Sequence, residues 1–599
     1  MKSEGVKYLF GVPGGGISPF FNELYDMAPD IKTILVKHEQ GAGFMATGYY
    51  MASHQVASCA ATVGPGGMNL ASGLHVAYQN SVPVLAITNN VQTEQFGKSG
   101  IQDACGWGPR SLEHVEAFEP VTKWSVLLFD RRQAPEVTRR AFRIMLTDRK
   151  GPVHIDIPSD VIRQEVEVDR IWKPEHYRPI GRIRGDRELV EKAADSLIKA
   201  QSPAILSGGG VLSSEATPDL IELAELLSIP VATTLMGKSS FPEDHPLALG
   251  VTGREGHDPA NTVLRADRTD VLLGVGAMFH QCTTINWMPD FGGQKIIQVN
   301  TDSGEIGRNY PADIGIWGDA KAVLREITDI VKAELAKMPK NQLKELEDRK
   351  KERVKEILKL KDELKYYKEP EMFSDVVPLM PHRACREIRE AAGKDAIIWT
   401  DCGNNLAWAE RYIQAIGPAR TFLVDGGHTA MGFSVAASIG SKLAFRDRVV
   451  IDITGNAAFQ MLGKEITTAA AYDIPVIWCI LDDEMLGRIK QGQKMGYGIW
   501  EPERYIATSS YDPDFVKLAE ACHCQGELVT RPGEVKEAVA NAIKSGKPTV
   551  IDIKIDPEVY PPLVIRAYDK SVVSKYPYLR EKKMPVPKWP RPYDEPLKG

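Results

Sequence analysis

The feature that most constrains this chain is a rhythm heard three times: a short β-branched run, a glycine turn, then a stretch of helical spacing. Each such unit reads as a strand of a parallel sheet followed by its crossover helix. Parallel sheets are covered by helices on both faces, so the fold class is α/β, with three doubly wound parallel-sheet domains. At 599 residues the chain exceeds one hydrophobic core, and about 150 residues per domain suits three or four units. The first, residues 1–176, is expected to place strands at Tyr8 to Val12, Thr33 to Lys37, Val56 to Thr62, Val84 to Thr88 and Val153 to Ile157. A polar stretch from Tyr177 to Arg187, with Pro179 and Gly181, reads as a linker. A second unit, 188–326, opens with a helix and the strand Ala204 to Ser207. Residues 327–370 form a charged helical linker in which acids alternate with bases, as in Leu343 to Lys350, a solvated connector in place of a basic patch. The third unit, 371–560, carries strands at Ala396 to Thr400, Val449 to Thr454, Val476 to Leu481 and Thr549 to Ile553. The tail, 561–599, is rich in Pro, Tyr and Lys and is expected to wrap the surface or a neighbouring subunit.

A net charge of -6 excludes the bulk basicity that draws proteins to nucleic acid or anionic lipid, so neither is an expected partner. Apolar runs such as Ile474 to Leu481 fall far short of the roughly twenty residues of a membrane helix. The eight cysteines include no CxxC pair, and no apolar signal core precedes Tyr8. Reduced thiols and a cytoplasmic location are expected. Cys522-His523-Cys524 has no companion cluster and is not read as a metal site.

Glu39 follows the strand Thr33 to Lys37, at the end of a parallel sheet where ligands are met. Its company is Phe10-Gly11-Val12-Pro13-Gly14-Gly15-Gly16, Lys37-His38-Glu39-Gln40-Gly41-Ala42-Gly43, Met45-Ala46-Thr47-Gly48-Tyr49, and Thr62-Val63-Gly64-Pro65-Gly66-Gly67-Met68-Asn69. Together these runs resemble the pyrimidine-binding domain of acetohydroxyacid synthase, pyruvate oxidase and benzoylformate decarboxylase. The resemblance implies thiamine diphosphate as cofactor. It makes Glu39 the acid that hydrogen-bonds the aminopyrimidine ring nitrogen and favours the imino form, which removes the thiazolium proton. Pro13, Gly14, Gly64 and Asn69 become cofactor contacts, and Gly15 and Gly16 line the substrate pocket.

Near the other end, Thr454-Gly455-Asn456-Ala457-Ala458-Phe459 and Leu481-Asp482-Asp483-Glu484-Met485-Leu486-Gly487 each follow a strand. Where they fall, the family carries Gly-Asp-Gly or Gly-Asp-Ala and then Asn-Asn, which hold Mg²⁺ against the diphosphate. Here the acid and the amide look exchanged. The implied metal ligands are Asn456, Asp483 and the main-chain carbonyl of Met485, with the charge at the ion conserved. Gly455, Ala457, Ala458, Leu486 and Gly487 fall among the implied cofactor contacts. So do Gly403, Asn404 and Asn405 of Thr400-Asp401-Cys402-Gly403-Asn404-Asn405, and His428 and Met431 of the run Asp425 to Phe433. Met431 matches the bulky residue that bends the cofactor.

The same resemblance covers almost the whole chain and implies a thiamine-diphosphate-binding fold in the outer units and a Rossmann-like middle one. Leu206-Ser207-Gly208-Gly209-Gly210, Thr234-Leu235-Met236-Gly237-Lys238 and Asn300 to Gly307 match segments that hold FAD in acetohydroxyacid synthase. The segment Gly274 to Gln281 lacks the arginine common in FAD-containing members, so FAD stays open. The family's cofactor lies between the first domain of one subunit and the third of another, which implies a homodimer or homotetramer with active sites at the interface.

The reaction is less constrained. Asn90 stands where the synthase usually has a catalytic Gln, and Gly492 where it has a Trp that selects the acceptor, which enlarges the pocket. Gln102 and His428 are candidates to orient or protonate the small-molecule substrate. The reading is a thiamine-diphosphate-dependent lyase or transferase that cleaves or forms a C–C bond next to a carbonyl, a 2-oxo acid decarboxylase or carboligase with a substrate bulkier than pyruvate plus 2-oxobutyrate. A hydrolase or lyase of a 1,2-diketone or 2-hydroxyacyl compound is the alternative. From another class, the altered metal residues leave open a non-catalytic homologue. No glycine turn completes Gly-x-Gly-x-x-Gly with a later acid, so an NAD-dependent enzyme is not expected.

Overall fold

The computed structural model describes residues 1–102, 111–287, 291–497 and 512–561, apart from the side chains of 495–497. Cys105 and the tail beyond Pro561 lie outside the described residues. Three six-stranded sheets form, and every described pairing is parallel. The first holds β1 (Tyr8–Gly11), β2 (Lys32–Leu35), β3 (Ala57–Ala61), β4 (Val84–Asn90), β5 (Trp124–Leu127) and β6 (Val153–Pro158), in the order β2-β1-β3-β4-β6-β5. The second holds β7 (Pro203–Ser207), β8 (Val231–Thr233), β9 (Ala248–Val251), β10 (Val271–Val275), β11 (Lys295–Asn300) and β12 (Ile314–Trp317), in the order β12-β11-β10-β7-β8-β9. The third holds β13 (Ile397–Thr400), β14 (Phe422–Val424), β15 (Val450–Gly455), β16 (Val476–Asp482), β17 (Gln525–Val529) and β18 (Thr549–Lys554), in the order β14-β13-β15-β16-β18-β17.

The outer sheets thus share one topology, and the middle one follows the dinucleotide-binding order, with its switch point between β7 and β10. Central strands such as β4 and β16 are buried along their whole length, as a sheet covered on both faces requires.

Two features depart from the expected linker. The helix Ala320–Lys337 runs through residue 326, because Ile327 and Val331 still sit in the middle unit's core. The helix Lys340–Glu363, read as a solvated connector, buries Leu346, Arg353 and Ile357. Arg353 donates to the carbonyls of Leu227 at 2.9 Å and Gln201 at 3.0 Å, so the helix buttresses the middle unit along one face. Its alternating charges mask that face in the sequence.

The first and third units share a single apolar core, which includes Phe44, Trp399 and Phe433. Its axis is the contact between the helices Glu39–Ser53 and Phe433–Ala444. The rings of Phe44 and Phe433 meet edge to face at 5.1 Å, and Ser441 Oγ donates to the Gly48 carbonyl at 2.9 Å. The backbones approach so closely that a Cβ on Gly48 would stand 2.1 Å from the Ala437 carbonyl oxygen, and one on Gly440 2.0 Å from that of Met45. No helix among the described residues is long and apolar enough to cross a membrane.

Gly48→Ala must therefore separate the two helices. The expected loss is about 1–3 kcal/mol, typical of an overpacked core. It is read as a lower midpoint of denaturant unfolding, and an unchanged midpoint would mean the helices do not meet at Gly48.

Candidate active site

Glu39 is the first residue of the helix Glu39–Ser53, with His38 as its cap: His38 Nδ1 accepts from Gln40 N–H at 3.2 Å. The Glu39 side chain is half-buried, and Asn69 Nδ2 donates to its Oε2 at 3.0 Å. Glu39 Oε1 faces Gly66, where a Cβ would lie 3.2 Å away, so the missing side chain leaves that oxygen its space. Asn69 lies on the helix Pro65–Gln79, whose start is fixed by Gly64 at φ 72°. Gly64 N–H donates to His114 Nε2 at 3.1 Å. The other ring nitrogen of His114 is then the N–H, which donates to Asp156 Oδ1 at 3.3 Å. This network is wholly buried and includes Thr88 and His154.

The predicted pocket residues of the first domain fall into two groups. Gly15 faces open space, and Gln102, exposed and at φ 65°, lays its carbonyl against Gly64. Gly14 and Gly16 are packing positions: a Cβ would stand 2.4 Å from Thr62 Oγ1 and 2.1 Å from Asn89 Nδ2 respectively. Asn90 turns inward. It is 4% exposed, its Nδ2 donates to Asp156 Oδ2 at 2.6 Å and its Oδ1 accepts from Val91 N–H at 2.8 Å, so both polar ends are already engaged.

In the third domain, the ends of β13, β15 and β16 each lead into a helix, Asn404–Tyr412, Asn456–Leu462 and Gly487–Tyr497. The first two are capped by Gly403 and Gly455 with no side-chain cap, which leaves their leading N–H groups for an anion such as a diphosphate. Asn404 is 9% exposed and donates to Gln491 Oε1 at 3.0 Å, while its own Oδ1 has no partner. Asn405 Nδ2 donates to the Asp401 carbonyl at 2.7 Å. A Cβ on Gly487 would stand 2.0 Å from Asp483 Oδ2, so only glycine admits that carboxylate beside the helix start.

The three expected metal ligands come together here. Asn456 Nδ2 lies 3.5 Å from the Met485 carbonyl oxygen, and Asp483 Oδ1 accepts from Met485 N–H at 3.3 Å. Of the two neighbouring acids, Asp482 is paired with Lys554 at 2.5 Å, which leaves Asp483 as the uncommitted carboxylate. Burial, with Asp482 and Asp512 nearby, pushes Asp483 up to about 7, the signature of a carboxylate short of positive charge. Asp512 is a residue that sequence reasoning missed. Its Oδ2 accepts from Asn456 Nδ2 at 2.8 Å, yet Asp512-Pro513-Asp514 before a helix reads only as a cap, and no motif spacing leads to it.

The loop from Asp425 to Met431 is anchored at both ends. Asp425 accepts from His428 N–H at 2.9 Å and from Asn80 Nδ2 of the first domain at 2.7 Å. The exposed His428 ring rests 4.2 Å from that of His75. Met431 is half-buried and precedes Gly432, whose N–H donates to Asp401 Oδ1 at 2.9 Å. Four donors hold the Asp401 carboxylate, and burial still pushes it up to about 6. No described hydrogen bond joins Glu39 to Asn456, Asp483 or Met485 within one chain. Among the described residues no group of three or more His, Cys, Asp or Glu is arranged to hold a metal, so any ion site here depends on amide and carbonyl oxygens.

At the switch point of the middle sheet lies a cavity of about 690 Å³, lined among others by Gly209, Gly210, Met236, Met278, Asp302 and Asp319. Its glycines are needed for packing, since a Cβ on Gly210 would stand 2.6 Å from Gly276 Cα. Arg149, Arg254, Arg420 and Arg488 line it together with Asp148, Glu255, Asp302, Glu305, Asp319 and Glu410, so its walls carry both signs of charge.

Comparison with known proteins agrees with this architecture. The family model described as the thiamine pyrophosphate enzyme N-terminal TPP binding domain matches residues 1–107, the central domain 190–327, and the C-terminal TPP binding domain 401–553. The probable acetolactate synthase large subunit of Methanocaldococcus jannaschii is 38% identical over 575 residues, covering 94% of this chain and 92% of that one. The acetolactate synthase large subunit of Corynebacterium glutamicum is 33% identical over 92% of this chain and 85% of that one. In Escherichia coli, the acetolactate synthase isozyme 3 large subunit is 29% identical over 93% of this chain and 94% of that one. Three parallel sheets in this order, with Glu39 and the glycine-capped helix starts at their ends, define a thiamine-diphosphate enzyme. Within that class the chain belongs to the acetolactate synthase-like family.

Proposed function

We propose that the chain is a thiamine-diphosphate- and Mg²⁺-dependent decarboxylase or carboligase of 2-oxo acids, acting on a substrate bulkier than pyruvate plus 2-oxobutyrate. The observation that carries this reading is the convergence of Asn456, Asp483 and the Met485 carbonyl beside two glycine-capped helix starts. One carboxylate, one amide oxygen and one carbonyl form an oxygen set suited to Mg²⁺, which retains water and phosphate as its other ligands. The cofactor, when bound, supplies the nucleophilic carbon and the electron sink. Glu39, whose Oε2 is held by Asn69, would accept the hydrogen bond of the cofactor's aminopyrimidine ring nitrogen when the cofactor is bound. Gln102 and His428, both exposed on the chain surface, orient the substrate or move its proton.

The naming of similar proteins as large subunits supports an assembly of several chains, a homodimer or homotetramer in which one chain's Glu39 faces another chain's Asp483. The middle cavity, of about 690 Å³ at the switch point of a sheet with the dinucleotide-binding order, supports a bound nucleotide, and flavin absorbance of the purified protein decides whether it is FAD. The seven described cysteines are all unpaired, which supports a cytoplasmic location. A second reading, hydrolysis or lysis of a 1,2-diketone, draws on Asn90, whose polar groups are engaged internally, and on Gly492, which offers no side chain to an acceptor ketoacid.

Turnover of a panel of 2-oxo acids and 1,2-diones with thiamine diphosphate and Mg²⁺, products read by mass spectrometry, separates these readings. Glu39→Gln is expected to lower that turnover by about 10²–10⁴-fold, the usual worth of a positioned proton-transfer group. Undiminished turnover would remove Glu39 from the role. Asp483→Ala should abolish Mg²⁺-dependent cofactor affinity in calorimetry, and equal affinity in mutant and parent refutes the ligand assignment. Gly492→Trp should shift selectivity toward smaller substrates by about 1–3 kcal/mol, the worth of a pocket contact, and an unaltered range sinks the enlarged-pocket idea.

A further inference from the structure

The strand that delivers Glu39 is an edge strand. β2 pairs with β1 on one side only, so the N–H groups along its other side have no strand to meet. The third domain of the same chain supplies the acceptors. Leu35 N–H donates to Tyr472 Oη at 2.9 Å. Two residues further on, Lys37 N–H donates to both oxygens of Glu465, at 3.0 and 3.1 Å, and His38 N–H donates to Glu465 Oε1 at 2.9 Å. Glu465 is fully buried, and Thr468 Oγ1 donates to its Oε2 at 2.8 Å, so its carboxylate is held from both sides. Gly41 completes the fit: a Cβ there would stand 2.6 Å from Glu465 Oε1.

This carboxylate grips the backbone N–H groups of the two residues that precede Glu39. It also lies just beyond the helix Asn456–Leu462, whose first residue is one of the proposed metal ligands. We propose that Glu465 is the positioning residue of Glu39, fixing the direction in which the acid leaves the sheet and linking it to the metal-side loop of its own chain. A carboxylate suits the task because it has only acceptors to offer, and a hydrogen bond from a backbone N–H to a charged oxygen is stronger than one to a neutral oxygen. An amide in its place turns one acceptor into a donor against a peptide N–H. The inference rests on Glu39 being the activating acid.

Two measurements on the full chain test it. In cofactor-free protein, hydrogen–deuterium exchange should show the amides of Lys37 and His38 protected in the parent and exposed in Glu465→Ala and Glu465→Gln. Protection retained in both variants overturns the proposal. In protein loaded with thiamine diphosphate and Mg²⁺, the thiazolium C2 proton should exchange about tenfold to a hundredfold more slowly in Glu465→Gln, the cost of misplacing a reacting group by about an ångström. kcat should fall with it and KM stay within about threefold, as for a group that acts after binding. Gly41→Ala, whose Cβ would press on Glu465 Oε1 and leave its charge intact, should give the same pattern and serves if the Glu465 variants do not fold. Parent-like C2 exchange in folded variants overturns the positioning role. A parent protein that neither binds the cofactor nor exchanges C2 overturns instead the functional reading beneath it.

Discussion

Everything at the first-domain half of the site depends on the contact between the helices Glu39–Ser53 and Phe433–Ala444. Helix pairs with ordinary side chains keep their axes about 8–10 Å apart, and glycine at the crossing allows a closer approach. Here Gly48 and Gly440 bring backbone against backbone, and the cores of two separate sheets become one. The helix that starts at Glu39 is therefore oriented by the third domain as much as by its own sheet. A change in that packing reaches the acid directly, because no flexible linker lies between them.

Buried polar groups make this junction specific, where apolar packing alone would tolerate sliding. Glu465 and Tyr472 close the edge of β2, and Asn80 reaches Asp425 from the first domain. Between the middle and third domains, Lys238 and Glu243 are fully buried together, and Glu243 also accepts from Ala415 N–H at 2.6 Å and Tyr367 Oη at 2.7 Å. A buried carboxylate with one partner is a liability, whereas one with several donors defines a single docked geometry. The His114–Asp156 pair works in the same way within the first domain, fixing the glycine loop that aims Asn69 at Glu39.

Much of this was legible in the sequence. The interior strands β1, β3, β4, β15 and β16 are largely apolar runs, and the structure sets them, with the edge strand β2, within a residue or two of where the sequence indicates. β5, β14 and β17 were not singled out, because edge strands are short and only half apolar, with no period strong enough to separate them from loops. Glu39, Asn456 and Asp483 were singled out because their motif runs resemble those of thiamine-diphosphate enzymes, and each lies just after a strand or its turn. Asp512 and Glu465 were not: Glu465 acts across a domain boundary that only folding creates, and Asp512 meets Asn456 within the third domain from 56 positions away, with no motif between them. Asn90 shows the converse. Its place in a motif points to the substrate, yet the buried Asp156 takes its amide first.

The exchange of acid and amide between Asn456 and Asp483 becomes physically reasonable once their surroundings are counted. Asp482 carries its own counter-ion in Lys554, so the second acid of Leu481-Asp482-Asp483 is the one left without a cation. On the β15 side, a carboxylate in place of Asn456 would have faced Asp512 at hydrogen-bond distance, a like-charge contact at a buried position. An amide there donates to Asp512 instead and leaves its oxygen free. The loop thus keeps one uncommitted negative charge at Asp483 and avoids placing a second against Asp512. Asp512 and Asn456 make a matched pair, and on the proposed reading that pairing still leaves a carboxylate, an amide oxygen and a carbonyl for a hard cation.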